Sequence, residues 1–359
     1  MNKKTGIVVL FWNDYQKTIT CLESIFKQKK INFSLILVDN NSNKIYSKKI
    51  LNWLKKSRKK IILVKEKKIY EKKIFKSSKN LFYIKNKHNY GCGLGHNPGY
   101  QFCIDNKFNY IARIDNDMIV PKLTINNLIK RMEKNSKINA ISPKIMYAQN
   151  PDLIWWRGAK IGQNLKLQRN FGSHYTKGHS DNKKYSGLIN SDAIAGCASI
   201  MKTDKLKKIG LSDPDFFYGE EDVELSVRMK DSKDSLKVDL NEKTYHYVSH
   251  TVGKNWAKTI YYNYKYRLVL IKKIGSVADK IFGYSIFIFK LFIMFLLLFR
   301  KKYSSRIIQI FYAGLHFFQK KYGYYDRKKY GLVDNFFSKI NKKTSIKDII
   351  NNFNHGKKI

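Results

Sequence analysis

Apolar runs and amphipathic stretches alternate along the N-terminal third of the chain, and this alternation constrains the fold more than any other feature. Residues 6–12 (GIVVLFW) and 33–39 (FSLILVD) predict buried strands, and residues 15–28 between them carry apolar side chains at helical spacing. Further strands are predicted at 81–85 and 110–120. Strands that alternate with helices form parallel sheets with crossover helices, so the sequence predicts an α/β fold.

The alternation weakens beyond residue 140, where short strands and glycine turns are predicted over 141–200. An amphipathic helix with an acidic start is predicted within 215–231, and the composition becomes basic and aromatic from about residue 256. The predicted divisions are a domain over 1–255, with halves at 1–120 and 121–255, and a C-terminal helical region over 256–359.

The C-terminal region contains a nearly continuous apolar run at 281–299. As a helix, this run would be about 28 Å long, close to the hydrocarbon thickness of a bilayer at about 30 Å. Lys290 lies near its middle, and basic residues flank both ends. A helix in the membrane interface, a spanning helix and a buried core helix all remain open, and a second amphipathic stretch at 307–323 favours the interfacial helix.

The chain is strongly basic, with 70 Lys and Arg against 27 Asp and Glu and a formal net charge of +43. This charge fits a nucleic acid, an anionic membrane or a phosphorylated substrate as partner, and it fits equally a Lys-rich composition without functional meaning. A content of 43% hydrophobic and 14% aromatic residues excludes a disordered chain. The four cysteines show no zinc spacing and predict free thiols in a reducing cytosol, and residues 1–10 show no signal peptide.

Two acidic residues, Asp115 and Asp117, follow a predicted buried strand in the stretch RIDNDMIV (113–120). At the carboxyl edge of a parallel sheet, such a pair could hold a divalent cation that bridges to the phosphates of a ligand. A D-x-D pair alone is a weak signal, because such pairs also arise in ordinary acidic loops.

A glycine-rich segment precedes this strand, at 86–105 (NKHNYGCGLGHNPGYQFCID). Asn97 followed by Pro98 predicts a helix start, which places the glycines in a loop before a helix N-terminus, where anions are favoured. His96 occupies the place of the third glycine of a G-x-G-x-x-G fingerprint, which argues against a nicotinamide or flavin site.

A second acidic cluster, GEED (219–222), begins the helix predicted over 215–231. A carboxylate here could act as a general base, and Asp222 competes for that role with Glu220, Glu221 and Glu224. The cluster could instead complement the helix dipole or pair with Arg228 or a lysine. His246, His250, Trp155 and Trp156 have both structural and functional interpretations.

These segments occur in one order: VVLFWND, LILVDNNS, NYGCGLGHNPG, RIDNDMIV, AGCASIMKTDKLKKIGLSDPDFFYGEEDVELSVRMKD and YHYVSH. As a set they resemble the family 2 glycosyltransferases, in particular the bacterial rhamnosyltransferase-like group, over about residues 5–270. The resemblance implies a GT-A type, Rossmann-like, mostly parallel sheet flanked by helices. It makes 1–120 the nucleotide-binding half and 121–255 the acceptor-binding half. The Lys-dense stretch 55–79 and residues 233–240 depart from the family pattern.

The resemblance also assigns site residues. For the nucleotide they are Asn13, Asp39, Asn41, Asn89, Gly91, Asn97, Asp115 and Asn116, with Asp39 expected to face the base. For the metal they are Asp117, Asp115 and His246. Asp222 is the expected general base with Glu221 beside it, and Gly196 and Trp156 are expected near the donor or acceptor sugar.

The implied function is an inverting transfer of a sugar from a UDP- or dTDP-linked donor, with Mn or Mg as cofactor, to a glycan or lipid-linked glycan in bacterial surface polysaccharide assembly. The expected location is the cytoplasmic face of the inner membrane, through 281–323, held peripherally or by one C-terminal helix, with no nucleic acid as partner. Two alternatives remain. A sugar nucleotidyltransferase would more naturally carry a glycine-rich loop with a basic residue where this chain has FWNDYQK (11–17). A non-catalytic polyanion- or membrane-binding protein would not need the ordered acidic motifs.

Overall fold

A computed structural model describes residues 4–57, 61–66, 69, 81–161, 178–248, 256–297, 304–321 and 323. Most of the Lys-dense connection predicted over 55–79 lies outside the described residues, and so do His250 and the end of the C-terminal region at 324–359.

The strands are β1 (Lys4–Phe11), β2 (Asn32–Asp39), β3 (Ile61–Lys65), β4 (Leu81–Lys85), β5 (Tyr110–Asp115), β6 (Met118–Ile119), β7 (Ala140–Tyr147), β8 (Ile154–Trp156), β9 (Leu188–Asn190), β10 (Ala198–Lys202) and β11 (Leu236–His246). The helices are α1 (Tyr15–Phe26), α2 (Lys44–Lys56), α3 (Gly93–Asp105), α4 (Thr124–Lys134), α5 (Thr203–Ile209), α6 (Glu221–Met229), α7 (Trp256–Ile274), α8 (Val277–Leu297) and α9 (Ser304–Phe318).

All these strands belong to one sheet in the order β3-β4-β2-β1-β5-β10-β7-β11-β6, with β8 added beside β7 and β9 beside β11. The strands from β3 to β5 in this order are parallel. Beyond them, β10 runs antiparallel to both β5 and β7. The fold is therefore mixed α/β. The half built from residues 4–115 is wholly parallel, as expected, whereas the rest of the sheet is mixed: β7 and β11 are parallel, and the pairs that β6, β8, β9 and β10 make are antiparallel. Connections such as 148–153 are too short for the crossover that parallel neighbours need.

Both faces of the parallel half are buried, which explains why its strands read as continuous apolar runs. Along β1, Ile7 and Val9 pack into one core with α1, α2 and α4. Val8 and Leu10 point to the other face and pack with α3, α5 and α6. Each such side chain contributes about 1.5–3 kcal/mol by burial, so the two-sided core fixes the strand order and the edge at which the site forms.

The structure moves one predicted helix start. Helix α3 begins at Gly93, and Pro98 lies inside it. The expectation that Asn97 caps the helix is wrong, because its side chain donates to the carbonyl of Ser212 at 2.9 Å and accepts from the amide of Ser212 at 3.1 Å. The structure also divides the strand predicted over 110–120, which turns at residues 116 and 117.

The C-terminal helices α7, α8 and α9 pack on one another around a shared core that includes Phe287 and Phe317. Within the part of the chain that the structure describes, no helix is long and apolar enough to cross a membrane. Helix α8 is not a fully buried core helix either, since Phe282 and Phe289 are 60% and 62% exposed.

Candidate active site

Strand register brings the aspartates of the DND turn to the predicted histidine. Strand β6 pairs antiparallel with the end of β11, with Met118 opposite His246. As a result, Nε2 of His246 lies 3.2 Å from Oδ1 of Asp117. The amide of Tyr247 also donates to the carbonyl of Asp117, at 3.0 Å. A carboxylate and an imidazole that are more than a hundred residues apart in the sequence thus lie side by side.

Asp115 lies at the end of β5, beside a buried cation. Its Oδ1 is 4.0 Å from Nε of Arg113 and 3.7 Å from Nε2 of His96. Burial raises the pKa of Asp115 to about 7, with Arg113 opposing that shift and the Asp117 carboxylate adding to it. The protein thus raises the cost of ionising Asp115, and a cation nearby would lower that cost.

The donor set suits a hard divalent cation only together with a ligand. Among the described residues, no three His, Cys, Asp or Glu side chains form a cluster able to hold a metal by themselves. Mg²⁺-like ions are commonly held by one or two carboxylates plus substrate phosphates rather than by a full protein cage. Asp117, with His246 at 3.2 Å, therefore fits a metal that a diphosphate helps to bind.

The glycine segment is fastened to the loop that precedes the acidic helix. Gly91 has φ +77°, and a Cβ there would lie 1.8 Å from the carbonyl oxygen of Phe217. The next amide, of Cys92, donates to that same carbonyl at 2.7 Å. Oδ1 of Asn89 accepts from the amide of Gly91 at 2.9 Å. This position therefore admits only glycine, for reasons of both backbone conformation and space.

Gly91→Ala is expected to destabilise the fold by about 3 kcal/mol or more, because left-handed strain and a backbone overlap act together. Gly187→Ala is the matched control, since Gly187 has φ +87° but no atom within 4 Å of the added carbon. The control should lose about 1 kcal/mol, from strain alone. Equal losses in urea unfolding of the two variants would show that the Phe217 contact does not matter.

Asn40 is the centre of this region, and the sequence prediction missed it. Its Nδ2 donates to Oδ1 of Asn89 at 3.0 Å and to the carbonyl of Gly91 at 2.9 Å. Its Oδ1 accepts from Nδ2 of Asn86 and from the amide of Tyr90, both at 3.1 Å. The prediction named Asn41 instead, which is exposed with φ +58°. The sequence did contain the signal, because Asn40 is itself an amide residue and follows β2 directly.

Asp39 was expected to face the nucleobase, and in the structure its carboxylate is held by protein donors. Its side chain is fully buried. Oδ1 accepts from the amide of Ser42 at 2.7 Å, and Oδ2 accepts from the hydroxyls of Ser47 at 2.5 Å and Tyr83 at 2.6 Å. Three protein donors hold the carboxylate, which thereby fixes the loop after β2, and its expected contact with a base stays a prediction.

Two other predicted nucleotide residues lie at this edge of the sheet, each with a protein partner. Asn13 has φ +55°, and its Oδ1 accepts from the amide of Asn43 at 2.7 Å. Nδ2 of Asn116 donates to the hydroxyl of Thr18 at 2.9 Å. Asn97 is 7% exposed and exchanges two hydrogen bonds with Ser212, so its contact with a diphosphate stays a prediction.

Asp222 lies in the first turn of α6, against the strand that follows Gly196. The amide of Gly196 donates to Oδ2 of Asp222 at 3.2 Å. A Cβ at Gly196 would lie 2.9 Å from that oxygen, so a glycine permits the approach. The neighbouring carbonyl of Cys197 accepts from the amide of Asp115 at 2.9 Å. Residues 196 and 197 therefore connect the DND turn to the acidic helix.

Burial, reinforced by the neighbouring Glu221 carboxylate, raises the pKa of Asp222 to about 6. If Asp222 is the general base, only its ionised form can accept the proton, and activity should fall as pH drops through about 6 and level off above it. The measurement is a pH profile of kcat/KM, from pH 5 to 8 or so. A flat profile across pH 6 would contradict Asp222 as the group that titrates.

Glu221 is buried and paired, which removes it from contact with an acceptor. Its Oε1 lies 3.1 Å from Nη2 of Arg113, and Arg113 is only 3% exposed. The expected ion pair with Arg228 is made by Glu224 instead, at 2.5 Å. The sequence prediction missed Arg113, whose charge partly offsets the rise in pKa that burial causes at both Asp115 and Asp222.

The tryptophan predicted to contact a sugar is also in the core. Trp156 is 9% exposed and packs in the larger apolar cluster. Trp155 is half-buried and packs against the same cluster, and its ring meets the ring of His246 edge to face with centroids 4.7 Å apart. Of the two tryptophans, Trp156 is therefore the one in the core, and Trp155 is the one in contact with His246.

Fold and site define an α/β enzyme whose acidic centre lies where the parallel strands end. The chain belongs to glycosyl transferase family 2, whose sequence model matches residues 6–210. It is a glycosyltransferase, and enzymes of this family bind nucleotide-sugar donors and acceptors. This membership sets aside the nucleotidyltransferase and the non-catalytic binding protein.

Among solved structures, the chain is similar to a fragment (1–349) of S. aureus TarS at 15% identity, covering 77% of this chain and 67% of that one, with a TM-score of 0.47. It is also similar to GalNAc-T7, solved with UDP, GalNAc and Mn2+, at 17% identity, covering 68% of this chain and 44% of that one, with a TM-score of 0.48. The chain thus spans less than half of GalNAc-T7. No curated protein matches it.

Proposed function

We propose that the protein is an inverting transferase of GT-A type that moves a sugar from a nucleotide-diphosphate donor to an acceptor hydroxyl. Asp222 takes the hydroxyl proton while the acceptor oxygen forms its bond to the anomeric carbon. The bond from that carbon to the diphosphate breaks on the opposite face, and the diphosphate leaves with the bonding electrons. The observation that carries the proposal is the link through residues 196 and 197, which sets Asp222 beside the DND turn.

Asp117 and His246 are the residues that would hold a divalent cation, Mn or Mg, with Asp115 as a further ligand or a ribose contact. When bound, such a cation neutralises the negative charge that develops on the leaving diphosphate. The protein's own part is to fix the Asp117 carboxylate, which the Tyr247 amide does by holding its backbone.

The donor nucleotide, UDP or dTDP, would lie along the loop made by Asn89 and Gly91, with Asn13, Asn41 and Asn116 at its rim. Asn40 supports this loop from below through four hydrogen bonds. Trp155, rather than Trp156, would offer its ring to the acceptor sugar, next to His246.

The proposed acceptor is a lipid-linked glycan in bacterial surface polysaccharide assembly, met at the cytoplasmic face of the inner membrane. The support is the C-terminal helices, where α8 and α9 expose phenylalanines and other large apolar side chains. An enzyme held at a bilayer meets a lipid-linked acceptor without leaving the surface.

Calorimetric titration of UDP and dTDP, with and without Mn2+, tests the proposal. We expect at least one nucleotide to bind more tightly with metal, and Asp117→Ala to weaken that metal-dependent binding by about tenfold or more. Asp204→Asn, which replaces an exposed carboxylate on α5, is the control and should leave binding unchanged. Absence of binding by either nucleotide in every metal condition would contradict the proposal.

A further inference from the structure

The C-terminal helices present an apolar face outward. On α8 the exposed residues are Ile281, Phe282, Ile288, Phe289 and Phe292, which are 57–62% exposed. Their spacing places them along one side of the helix. A surface helix normally turns charged and polar residues outward, and within the described part of the chain these apolar side chains stay exposed.

Helix α9 also exposes large apolar side chains. Its exposed residues Phe311, Leu315 and Phe318 lie at helical spacing. The inward faces of the two helices pack together closely, since a Cβ added to Gly314 would lie 2.7 Å from the ring of Phe287. The exposed side chains of α8 and α9 are named here the apolar face.

Charge selects the partner of the apolar face. Lysines lie in the last turn of α7, at Lys272, in the first turns of α8, at Lys280, and directly after α9, at Lys320 and Lys321. A second copy of a chain with net charge +43 would be repelled, whereas anionic headgroups are attracted by about 1 kcal/mol for each basic residue near the surface. Apolar side chains beside lysines are typical of helices that lie in the plane of a bilayer.

Helix α7 joins these helices to the catalytic segment. The side of α7 that faces α9 carries Lys265, which is fully buried and donates to the hydroxyl of Tyr261 at 3.0 Å and to the carbonyl of Lys321 at 3.3 Å. That tyrosine hydroxyl lies 2.7 Å from Nδ1 of His316 on α9. Burial lowers the pKa of Lys265 to about 7, because the protein interior disfavours the charged form of the amine.

Helix α7 also contacts residues 216–220, which lie shortly before Asp222. Nη2 of Arg267 lies 2.7 Å from Oε1 of Glu220, whose backbone has φ +66°. The rings of Phe217 and Tyr262 stack with centroids 5.7 Å apart. The carbonyl of Phe217 also accepts from Cys92 in the donor loop. Segment 216–220 is therefore held between α7 and the proposed diphosphate site.

We propose that the apolar face is a docking surface for an anionic phospholipid bilayer, and that α7 transmits docking to segment 216–220. Docking holds α7 against this segment and so fixes the helix start that carries Asp222. The bilayer thereby regulates the transferase through its proposed general base, Asp222. The docking surface stands on its own contacts, whereas the effect on catalysis rests on the proposed function.

Co-sedimentation of the full chain with phosphatidylcholine vesicles, with and without phosphatidylglycerol, tests the surface. We expect binding to the anionic vesicles and a loss of about tenfold or more in the triple variant F282S/F289S/F292S. The control is I45S/L63S, which removes two side chains that are 62% and 67% exposed elsewhere. If the triple variant binds as well as the wild type, or instead only converts a dimer to a monomer, the proposal is overturned.

Hydrogen exchange of peptides covering 216–224 tests the coupling without any substrate. We expect slower exchange when anionic vesicles are added, and loss of this protection in Arg267→Gln with vesicle binding retained. Arg131→Gln, which breaks a 2.9 Å ion pair between α4 and Asp239 of β11, is the control and should keep the protection. Unchanged exchange in the wild type on vesicle binding would overturn the coupling. Since neither assay uses a nucleotide sugar, failure of the proposed function would show separately, in the nucleotide titrations.

Discussion

Asp222→Asn is expected to lower sugar transfer by about 10²- to 10⁴-fold, the usual contribution of a general base. The amide keeps the size of the carboxylate and can still accept the hydrogen bond from the Gly196 amide. It cannot take a proton from the acceptor. Binding of UDP or dTDP should therefore remain at the wild-type affinity, because Asp222 acts on the acceptor side.

Two comparisons separate this role from a structural one. Asp204→Asn should keep full transfer, since that carboxylate is exposed on α5. Asp222→Asn should also unfold at the wild-type temperature, within a few degrees. Retained turnover in a folded Asp222→Asn variant would remove Asp222 as the base. Loss of nucleotide binding would place it on the donor instead.

Arg113→Met is expected to destabilise the fold by about 3–5 kcal/mol, because it leaves the buried Glu221 carboxylate without its cation. Glu221 is 5% exposed, and its Oε1 lies 3.1 Å from the guanidinium. The guanidinium also lies beside Asp115 and stabilises the ionised form of Asp222. The buried Arg113 guanidinium therefore stabilises carboxylates of both the DND turn and the acidic helix.

The double variant Arg113→Met with Glu221→Gln is the control for this prediction. It removes both charges, so it should recover most of the stability that Arg113→Met loses. Urea unfolding of the wild type, the two single variants and the double variant gives the coupling energy. Additive losses would mean that the two residues do not form a buried pair.

The sequence was most informative where a local pattern decides the structure. Strands β1, β2, β4 and β5 were predicted because both of their faces are buried, which makes each a continuous apolar run. The DND turn stood out because few acids occur in so basic a chain. These features need only neighbouring residues to be read.

Long-range contacts account for most of what was missed. Arg113 reads as one polar residue inside an apolar strand, and only the folded chain shows Glu221 against it. Asn97 looked like a cap because its partner, Ser212, lies 115 residues away. The antiparallel entry of β10 depends on connections whose path no local pattern indicates.

The tryptophan pair illustrates a narrower limit. Trp155 and Trp156 are adjacent in β8, and the sequence does not say which of them is buried more deeply. The neighbouring strand decides, since Ile145 of β7 is the register partner of Trp156. A site prediction from sequence could therefore name the pair but not the member.

A crystal structure of the chain with Mn2+ and UDP tests the central claim most directly. The account predicts an anomalous manganese peak beside Asp117 and His246, with the diphosphate along the loop at Asn89 and Gly91 and the Asp222 carboxylate on the far side of it. Manganese or diphosphate bound away from Asp117, or a diphosphate in contact with Asp222, would contradict it.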